Sequence, residues 1–135
     1  MELSNKGEYT LKALMYLAKE FKNSQNVVKT REIAKQTGIP RSFLEQILLQ
    51  LNNARFLESV KGPQGGYRLR RPPEEIVIGD VIRIVDGALS PYHDVTTLRD
   101  KIDESEDFSS IYKMMLEVRD AIAEILDHKT LSDLI

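Results

Sequence analysis

The chain has 135 residues, a formal net charge of -2 and 41% hydrophobic residues. This length suits one compact domain, with at most a dimerisation appendage, and the hydrophobic fraction excludes an intrinsically disordered chain. No apolar run approaches the ~20 residues that span a bilayer, and the polar N-terminus lacks the apolar region of a signal peptide. We therefore expect a cytoplasmic protein. Because cysteine is absent, no disulfide reports on the redox compartment.

The charge is distributed unevenly along the chain. Residues 1–75 carry 13 Lys and Arg against 8 Asp and Glu, a net of +5, whereas residues 76–135 carry 6 against 13, a net of -7. A basic N-terminal part could face nucleic-acid phosphate while the acidic part faces away. The alternative is that these charges simply cluster on solvated faces.

The first elements along the chain are predicted helices. Apolar residues at helical spacing predict a helix over residues 8–21 with one apolar face: Leu11, Leu14, Met15, Ala18 and Phe21. Thr30 is the predicted N-cap of a second helix that runs to Gln36 and ends at Gly38, before Pro40.

A third helix follows at once. Ser42 and Glu45 fit the S-x-x-E capping box at its start. Its predicted buried stripe consists of Phe43, Leu44, Ile47, Leu48 and Leu51. Two helices joined by a tight turn that contains glycine are typical of a helix-turn-helix, although many helical proteins contain such a pair.

The pattern then changes from helix to strand. Residues 56–60 and 66–70 predict two short strands around a turn at residues 62–65. Cationic side chains surround this turn, and Lys61 lies at its tip. We expect Gly65 and Gly66 to allow positive φ and a close backbone approach to a ligand.

The C-terminal part contains a short predicted helix over 78–85, with Val81, Ile82 and Val85 inward and Gly87 as its C-cap. Residues 88–108 are predicted to form a loop. A long helix over 109–126 follows, with an apolar stripe at the four-and-three spacing of a heptad: Ile111, Met115, Val118, Ile122 and Ile125. This stripe packs either within its own domain or against a second copy of the chain.

The predicted fold class is therefore mainly α with a small β-hairpin. Residues 1–87 would form a winged helix-turn-helix domain, and residues 88–135 a loop and a dimerisation helix. In a helix-turn-helix, the second helix enters the DNA major groove by its N-terminal end. Its outward residues would be Arg41, Ser42, Glu45, Gln46 and Gln50, whose types suit base edges. Ser42 and Glu45 have the alternative role of capping the helix.

The cationic hairpin would then contact the phosphate backbone or the minor groove through Lys61, Gly65, Gly66 and Arg68. The alternative is an edge strand whose charges prevent aggregation. The position of the hairpin directly after the helix pair favours the contact with DNA.

Six motifs occur in the order found in the Rrf-two family of bacterial winged-helix regulators, which the chain resembles: Thr30-Arg-Glu-Ile-Ala34, Ser42-Phe-Leu-Glu-Gln46, Lys61-Gly-Pro-Gln-Gly-Gly-Tyr67, Arg71-Pro-Pro-Glu-Glu-Ile76, Ile78-Gly-Asp80 and Thr130-Leu-Ser-Asp-Leu134. The resemblance implies a homodimer joined through the long helix. It also implies recognition-helix contacts at Arg41, Ser42 and Glu45, and wing contacts over residues 61–66, Gln64 among them.

Many members of that family hold an iron–sulfur cluster with three cysteines in the loop that corresponds to residues 88–108. This chain has no cysteine, and His93 and His128 are too few to replace thiolate ligands, so we expect no cofactor and no metal site. A regulatory protein or a small-molecule effector is expected near Tyr92 and His93.

The sequence thus favours a dimeric, sequence-specific transcription regulator, a repressor of double-stranded DNA targets that lacks a cluster. The alternative is a winged-helix module that binds an acidic protein partner. An enzyme is disfavoured, because no nucleophile–base constellation and no glycine-rich phosphate loop can be placed.

Overall fold

The computed structural model describes residues 2–23, 26–87 and 95–135. These residues form six α-helices and one two-stranded hairpin, which confirms the predicted fold class. In chain order the elements are α1 (Asn5–Asn23), α2 (Thr30–Thr37), α3 (Arg41–Asn53), β1 (Leu57–Val60), β2 (Gly66–Leu69), α4 (Ile78–Asp86), α5 (Val95–Glu104) and α6 (Ser109–Leu126). Short 3-10 turns occupy Pro73–Glu75 and Leu131–Leu134. None of the helices in the described part of the chain is both long and apolar enough to cross a membrane.

Contacts divide the chain into two compact units. The N-terminal unit holds residues 3–76 and 130–135, and the C-terminal unit is built on residues 77–129. The last residues belong to the N-terminal unit because the Leu131 amide donates to the carbonyl of Ile76 over 2.8 Å and the Leu131 side chain is fully buried. The sequence analysis placed a domain boundary after residue 87. That boundary remains a prediction.

The core of the N-terminal unit lies among α1, α2, α3 and the hairpin. Its fully buried side chains are Leu14, Leu17, Ile33, Leu44, Ile47, Leu48, Leu51, Leu57, Leu69, Ile76 and Leu131. Burial of each such side chain contributes about 1.5–3 kcal/mol. On α1 the buried face is rotated from the predicted one, since Ala13 and Leu17 are buried whereas Leu11, Met15 and Phe21 are only half-buried.

Both short helices begin differently from the prediction. Lys29, not Thr30, is the N-cap of α2, and no side chain caps it. Helix α3 begins at Arg41 after Pro40 and has no side-chain cap either, so the capping box of Ser42 and Glu45 is wrong. Gly38 ends α2 as predicted: its φ is +73° and its amide donates to the carbonyl of Ala34. That left-handed conformation favours glycine.

Phe43 does not belong to the buried stripe of α3. Its side chain is 47% exposed and meets the ring of Tyr9 edge to face, with the centroids 6.0 Å apart. The other four predicted stripe residues are buried. Helix α3 therefore has a narrower core-facing surface than its sequence suggested.

The wing is an antiparallel hairpin whose tip closes through a bond from the Gly65 amide to the Gly62 carbonyl over 2.9 Å. Tyr67 also exchanges two backbone bonds with Val28, of 2.7 and 2.8 Å, which tie the wing to the segment before α2. Neither Gly65 nor Gly66 has positive φ, contrary to the prediction; Gly62 does, at +105°.

The two consecutive glycines of the wing are needed for packing within the chain itself. A Cβ at Gly65 would collide with the carbonyl oxygen of Val60, and one at Gly66 would collide with that of Val28. The close backbone approach predicted for a ligand is thus made by the protein backbone.

The C-terminal unit contains one helix that the sequence analysis missed. Helix α5 occupies Val95–Glu104, inside the predicted loop over 88–108, and Leu98 is its fully buried contact residue. Val95, Leu98 and Ile102 have helical spacing, but the acidic run over 103–107 obscured it. Residues 88–94 lie outside the described residues. The predicted bounds of α6 and the C-cap at Gly87 are confirmed.

Candidate nucleic-acid interface

An open groove of about 590 Å³ runs between the start of α2, the start of α3 and the wing. It brings Arg41 of α3 and Lys61 of the wing tip onto one surface of the N-terminal unit. The residues that line it are Lys29, Thr30, Arg31, Arg41, Ser59, Val60, Lys61, Gly62, Pro63, Gly65, Gly66 and Tyr67. The bridge between Val28 and Tyr67 fixes the distance between two walls of this groove.

The groove is cationic. Its four charged lining residues are Lys29, Arg31, Arg41 and Lys61, and no acidic residue lines it in the described part of the chain. Sequence reasoning missed Lys29 and Arg31, although basic residues beside a helix start were a usable signal. Thr30 and Arg31, the first two residues of α2, line the groove at the helix end where the helix dipole favours an anion. This combination of charges and a helix end suits phosphate.

The outward face of α3 carries the residues predicted to read bases. Ser42 and Gln46 are exposed, and Gln50 is half-buried. The Nε of Arg41 lies 3.2 Å from the Oε1 of Glu45, one helical turn away. Glu45 therefore pairs with Arg41 and does not cap the helix.

The ion pair between Arg41 and Glu45 is exposed on both sides. Such a surface pair is worth about 0.2–1 kcal/mol, so opening it against DNA costs little. Once open, the guanidinium can donate to guanine O6 and N7, and the carboxylate can accept from cytosine N4.

The cationic side chains of the wing differ in the contacts that they make within the chain. The Nε of Arg68 lies 3.0 Å from the Oε2 of Glu58, its direct cross-strand partner. Arg70 donates to the carbonyl of Leu57 over 3.4 Å, and Arg71 lies over the ring of Phe56 at 5.4 Å. Lys61 is exposed and has no ion-pair partner among the described residues.

The other predicted wing residues differ in exposure. Gln64 is exposed beside Lys61, whereas Gly65 and Gly66 are half-buried. The tip formed by Lys61 and Gln64 is therefore the part of the wing most open to a ligand.

A second open groove, of about 610 Å³, lies on the other side of Lys29 and Arg31. Its lining includes Tyr16, Glu20 and Glu32. Burial raises the pKa of the Tyr16 phenol, and the charges of Glu20 and Glu32 raise it further, so the phenol stays neutral. The two carboxylates make this groove less suited to phosphate than the first.

Known proteins that resemble this chain are transcription regulators. Residues 3–135 match the family model described as Rrf2, iron-dependent transcriptional regulator. The chain is 34% identical to the HTH-type transcriptional regulator CymR of Bacillus subtilis over 99% of this chain and 89% of CymR. It is 37% identical to the HTH-type transcriptional regulator IscR of Cereibacter sphaeroides over 69% of this chain and 60% of IscR.

Solved structures agree with these relatives. The fold superposes on CymR, the global cysteine regulator of B. subtilis, with a TM-score of 0.81 at 30% identity, covering 99% of this chain and 95% of that one. It superposes on IscR of T. potens with a TM-score of 0.78 at 33% identity, covering 99% and 85%.

The iron in the family description calls for a test against the ligands that this chain offers. The sequence has no cysteine, and thiolates are the usual ligands of iron–sulfur clusters. Over residues 2–23, 26–87 and 95–135, no three His, Asp or Glu side chains come together as a metal site would require. His128 lies with its Nδ1 2.7 Å from the carbonyl oxygen of Glu124, and His93 lies outside the described residues. The donor set does not fit an iron–sulfur cluster.

Proposed function

Because the chain belongs to the Rrf2 family of DNA-binding transcription regulators, we propose that it binds operator DNA as a homodimer and acts as a repressor without an iron–sulfur cluster. The observation that carries this proposal is the cationic groove that Arg41 and Lys61 both line. We expect the protein in the cytoplasm, because that is where a bacterial regulator meets the chromosome. A module for acidic proteins is disfavoured, since the similar proteins are transcription regulators.

In the proposed complex, the N-terminal end of α3 enters the major groove and the wing follows the backbone. The base-reading residues are those of the outward face: Arg41, Ser42, Glu45, Gln46 and Gln50. The wing contacts are Lys61, Gln64, Gly65, Gly66 and Arg68, of which Arg68 offers only the nitrogens that Glu58 leaves over. Lys29 and Arg31 add phosphate contacts beside the wing.

The proposed homodimer rests on the apolar stripe of α6. Ile111 is 47% exposed and Ile125 is 60% exposed, and the residues between them on the stripe, Met115, Val118 and Ile122, are half-buried. An exposed apolar stripe is covered at least cost by the same stripe of a second copy. Two copies would present two recognition helices to two half-sites.

Sedimentation tests the dimer. Ile125→Glu should shift the chain from dimer to monomer, because it places a carboxylate in the stripe. Lys113→Glu, also an exposed position of α6 but outside the stripe, is the matched control and should stay dimeric. A wild-type chain that sediments as a monomer at micromolar concentration would contradict the dimer.

The effector, a regulatory protein or a small molecule, would act through the segment that contains Tyr92 and His93, which is outside the described residues. A thermal-shift screen of amino-acid precursors and metal ions tests for a small molecule. A flat response across that panel would remove the small-molecule effector and leave the protein partner.

DNA binding is tested by fluorescence anisotropy with a duplex from the gene's own promoter and a random duplex, at several salt concentrations. We expect tighter binding to the promoter duplex, with affinity that falls linearly on a logarithmic salt scale. Lys61→Ala should weaken both complexes alike and reduce the salt slope by about one per half-site. Lys19→Ala, an exposed lysine of α1 that does not line the groove, is the control.

Base reading is tested with the pair on α3. Arg41→Ala should cost about 1–3 kcal/mol and relax the preference at one base position. Glu45→Gln should release Arg41 and raise affinity for the random duplex. Equal affinity of the wild type for the promoter and random duplexes at every salt concentration would overturn the proposed function.

A further inference from the structure

Leu49 is an apolar residue on the outward face of the recognition helix. Its side chain is 56% exposed, more than that of any other large hydrophobic residue of α3 in the structure. The core beneath α3 is supplied by Leu44, Ile47, Leu48 and Leu51, which are buried. Leu49 therefore contributes little to the core, and its side chain is open to contact a ligand.

The helix places Leu49 beside the residues proposed to read bases. Ser42, Glu45 and Gln46 precede it by seven, four and three residues, the spacings that share one face of an α-helix. All three are exposed. Whatever lies against Ser42, Glu45 and Gln46 will also lie against Leu49.

The floor of the DNA major groove is polar except at one group. Guanine, cytosine and adenine present donors and acceptors there, whereas thymine also presents its C5-methyl group. A leucine in this setting finds one apolar partner. We propose that Leu49 is a specificity residue that contacts the C5-methyl of one thymine in each half-site. This inference rests on the proposed function, since it names the chemistry that the same surface selects.

The test begins with a duplex enriched from random-sequence DNA by the full-length chain. Each thymine of the enriched duplex is then replaced in turn by deoxyuridine, which removes the methyl group and leaves base pairing intact. We expect the wild type to lose about fourfold in affinity at one thymine per half-site, the contribution of one buried methyl group. Replacing that thymine–adenine pair by 5-methylcytosine–guanine should retain more affinity than cytosine–guanine.

Leu49→Gln should bind the thymine and deoxyuridine duplexes equally at that position and keep the wild-type profile elsewhere. Leu49→Met should retain the methyl preference, and Leu3→Gln, an exposed leucine outside α3, should leave the whole profile unchanged.

A flat deoxyuridine profile for the wild type, or an unaltered profile for Leu49→Gln, overturns the inference while leaving DNA binding intact. Failure to enrich any sequence would overturn the proposed function and this inference with it. A shift of the oligomeric state in Leu49→Gln with an unchanged profile would assign Leu49 to a protein contact instead.

Discussion

Arg83 and Asp127 form a two-point ion pair in the C-terminal unit. The two terminal nitrogens of the guanidinium donate to the two carboxylate oxygens over 2.6 and 2.8 Å. The pair ties α4 to the residue that follows α6. Gly79 leaves the space for it, because a Cβ there would collide with the Oδ1 of Asp127. This contact explains why the second residue of the Ile78-Gly-Asp80 motif is a glycine.

Gly79→Ala should fail to give the gain of about 1 kcal/mol that alanine normally gives over glycine in a helix. The added methyl displaces the Asp127 carboxylate and breaks a charge-assisted pair worth about 1 kcal/mol at this partial exposure. Urea unfolding of the single and double variants measures the effect. In an Asp127→Ala background the same substitution should become stabilising. A gain in stability in both backgrounds would contradict this account of Gly79.

The same pair predicts a pH dependence. Hydrogen bonding from Arg83 holds the pKa of the Asp127 carboxyl below its usual value, against a smaller opposing effect of burial. Since the folded-state pKa is lower than that of the unfolded chain, about 3.9, the stabilisation is present above that pH and is lost as pH falls through the folded-state pKa. The free energy of unfolding should therefore exceed that of Asp127→Asn at neutral pH, and the difference should shrink in acid. A difference that stays constant between about pH 6 and 2 would rule out the pair as its source.

Much of the fold could be predicted because its signals are local. Gly38 ends α2 through a conformation that glycine prefers, and heptad spacing located α6 to the residue. The capping box failed for a physical reason. Chain entry through Pro40 makes Arg41 the first helical residue, so Ser42 lies inside the first turn and Glu45 meets Arg41 instead. Both arrangements fit the same sequence, and only the backbone path decides between them.

The reason for two glycines in the wing could not be read from the sequence, because it depends on a tertiary contact. Val28 is far from Gly66 along the chain, yet its carbonyl oxygen occupies the space that a Cβ would need. Sequence reasoning assigned that space to a ligand. Likewise, Lys29 and Arg31 joined the candidate site only when the bridge between Val28 and Tyr67 had brought the start of α2 to the wing.

Gly66→Ala should therefore detach the wing. The collision involves a backbone oxygen, which no side-chain rotation relieves, so the two bonds between Val28 and Tyr67 should break at a cost of about 1–3 kcal/mol. Hydrogen exchange of the Val28 and Tyr67 amides should accelerate, and DNA affinity should fall. Gly62→Ala is the matched control, since it has strained φ but nothing within 4 Å of the added methyl. Its exchange at Val28 and Tyr67 should match the wild type; acceleration in both variants would point to general loosening of the hairpin.

Arg55 offers a test of backbone strain just beyond the C-terminal end of α3. It is the one non-glycine residue with positive φ in the described part of the chain, at +66°. Its amide donates to the carbonyl of Asn52 and that of Phe56 to the carbonyl of Leu51, each over 3.0 Å, so the conformation terminates α3. A residue with a side chain pays about 1 kcal/mol to adopt the left-handed conformation, and glycine avoids this cost. Glycine also makes the unfolded chain more flexible, which cancels part of that gain in stability. Arg55→Gly should therefore raise the free energy of unfolding by about 0.5 kcal/mol relative to Arg55→Ala, which loses the same side chain but keeps the strain. Urea titrations should show a higher midpoint for Arg55→Gly with an unchanged slope; a lower midpoint than that of Arg55→Ala would mean that this turn stores no strain.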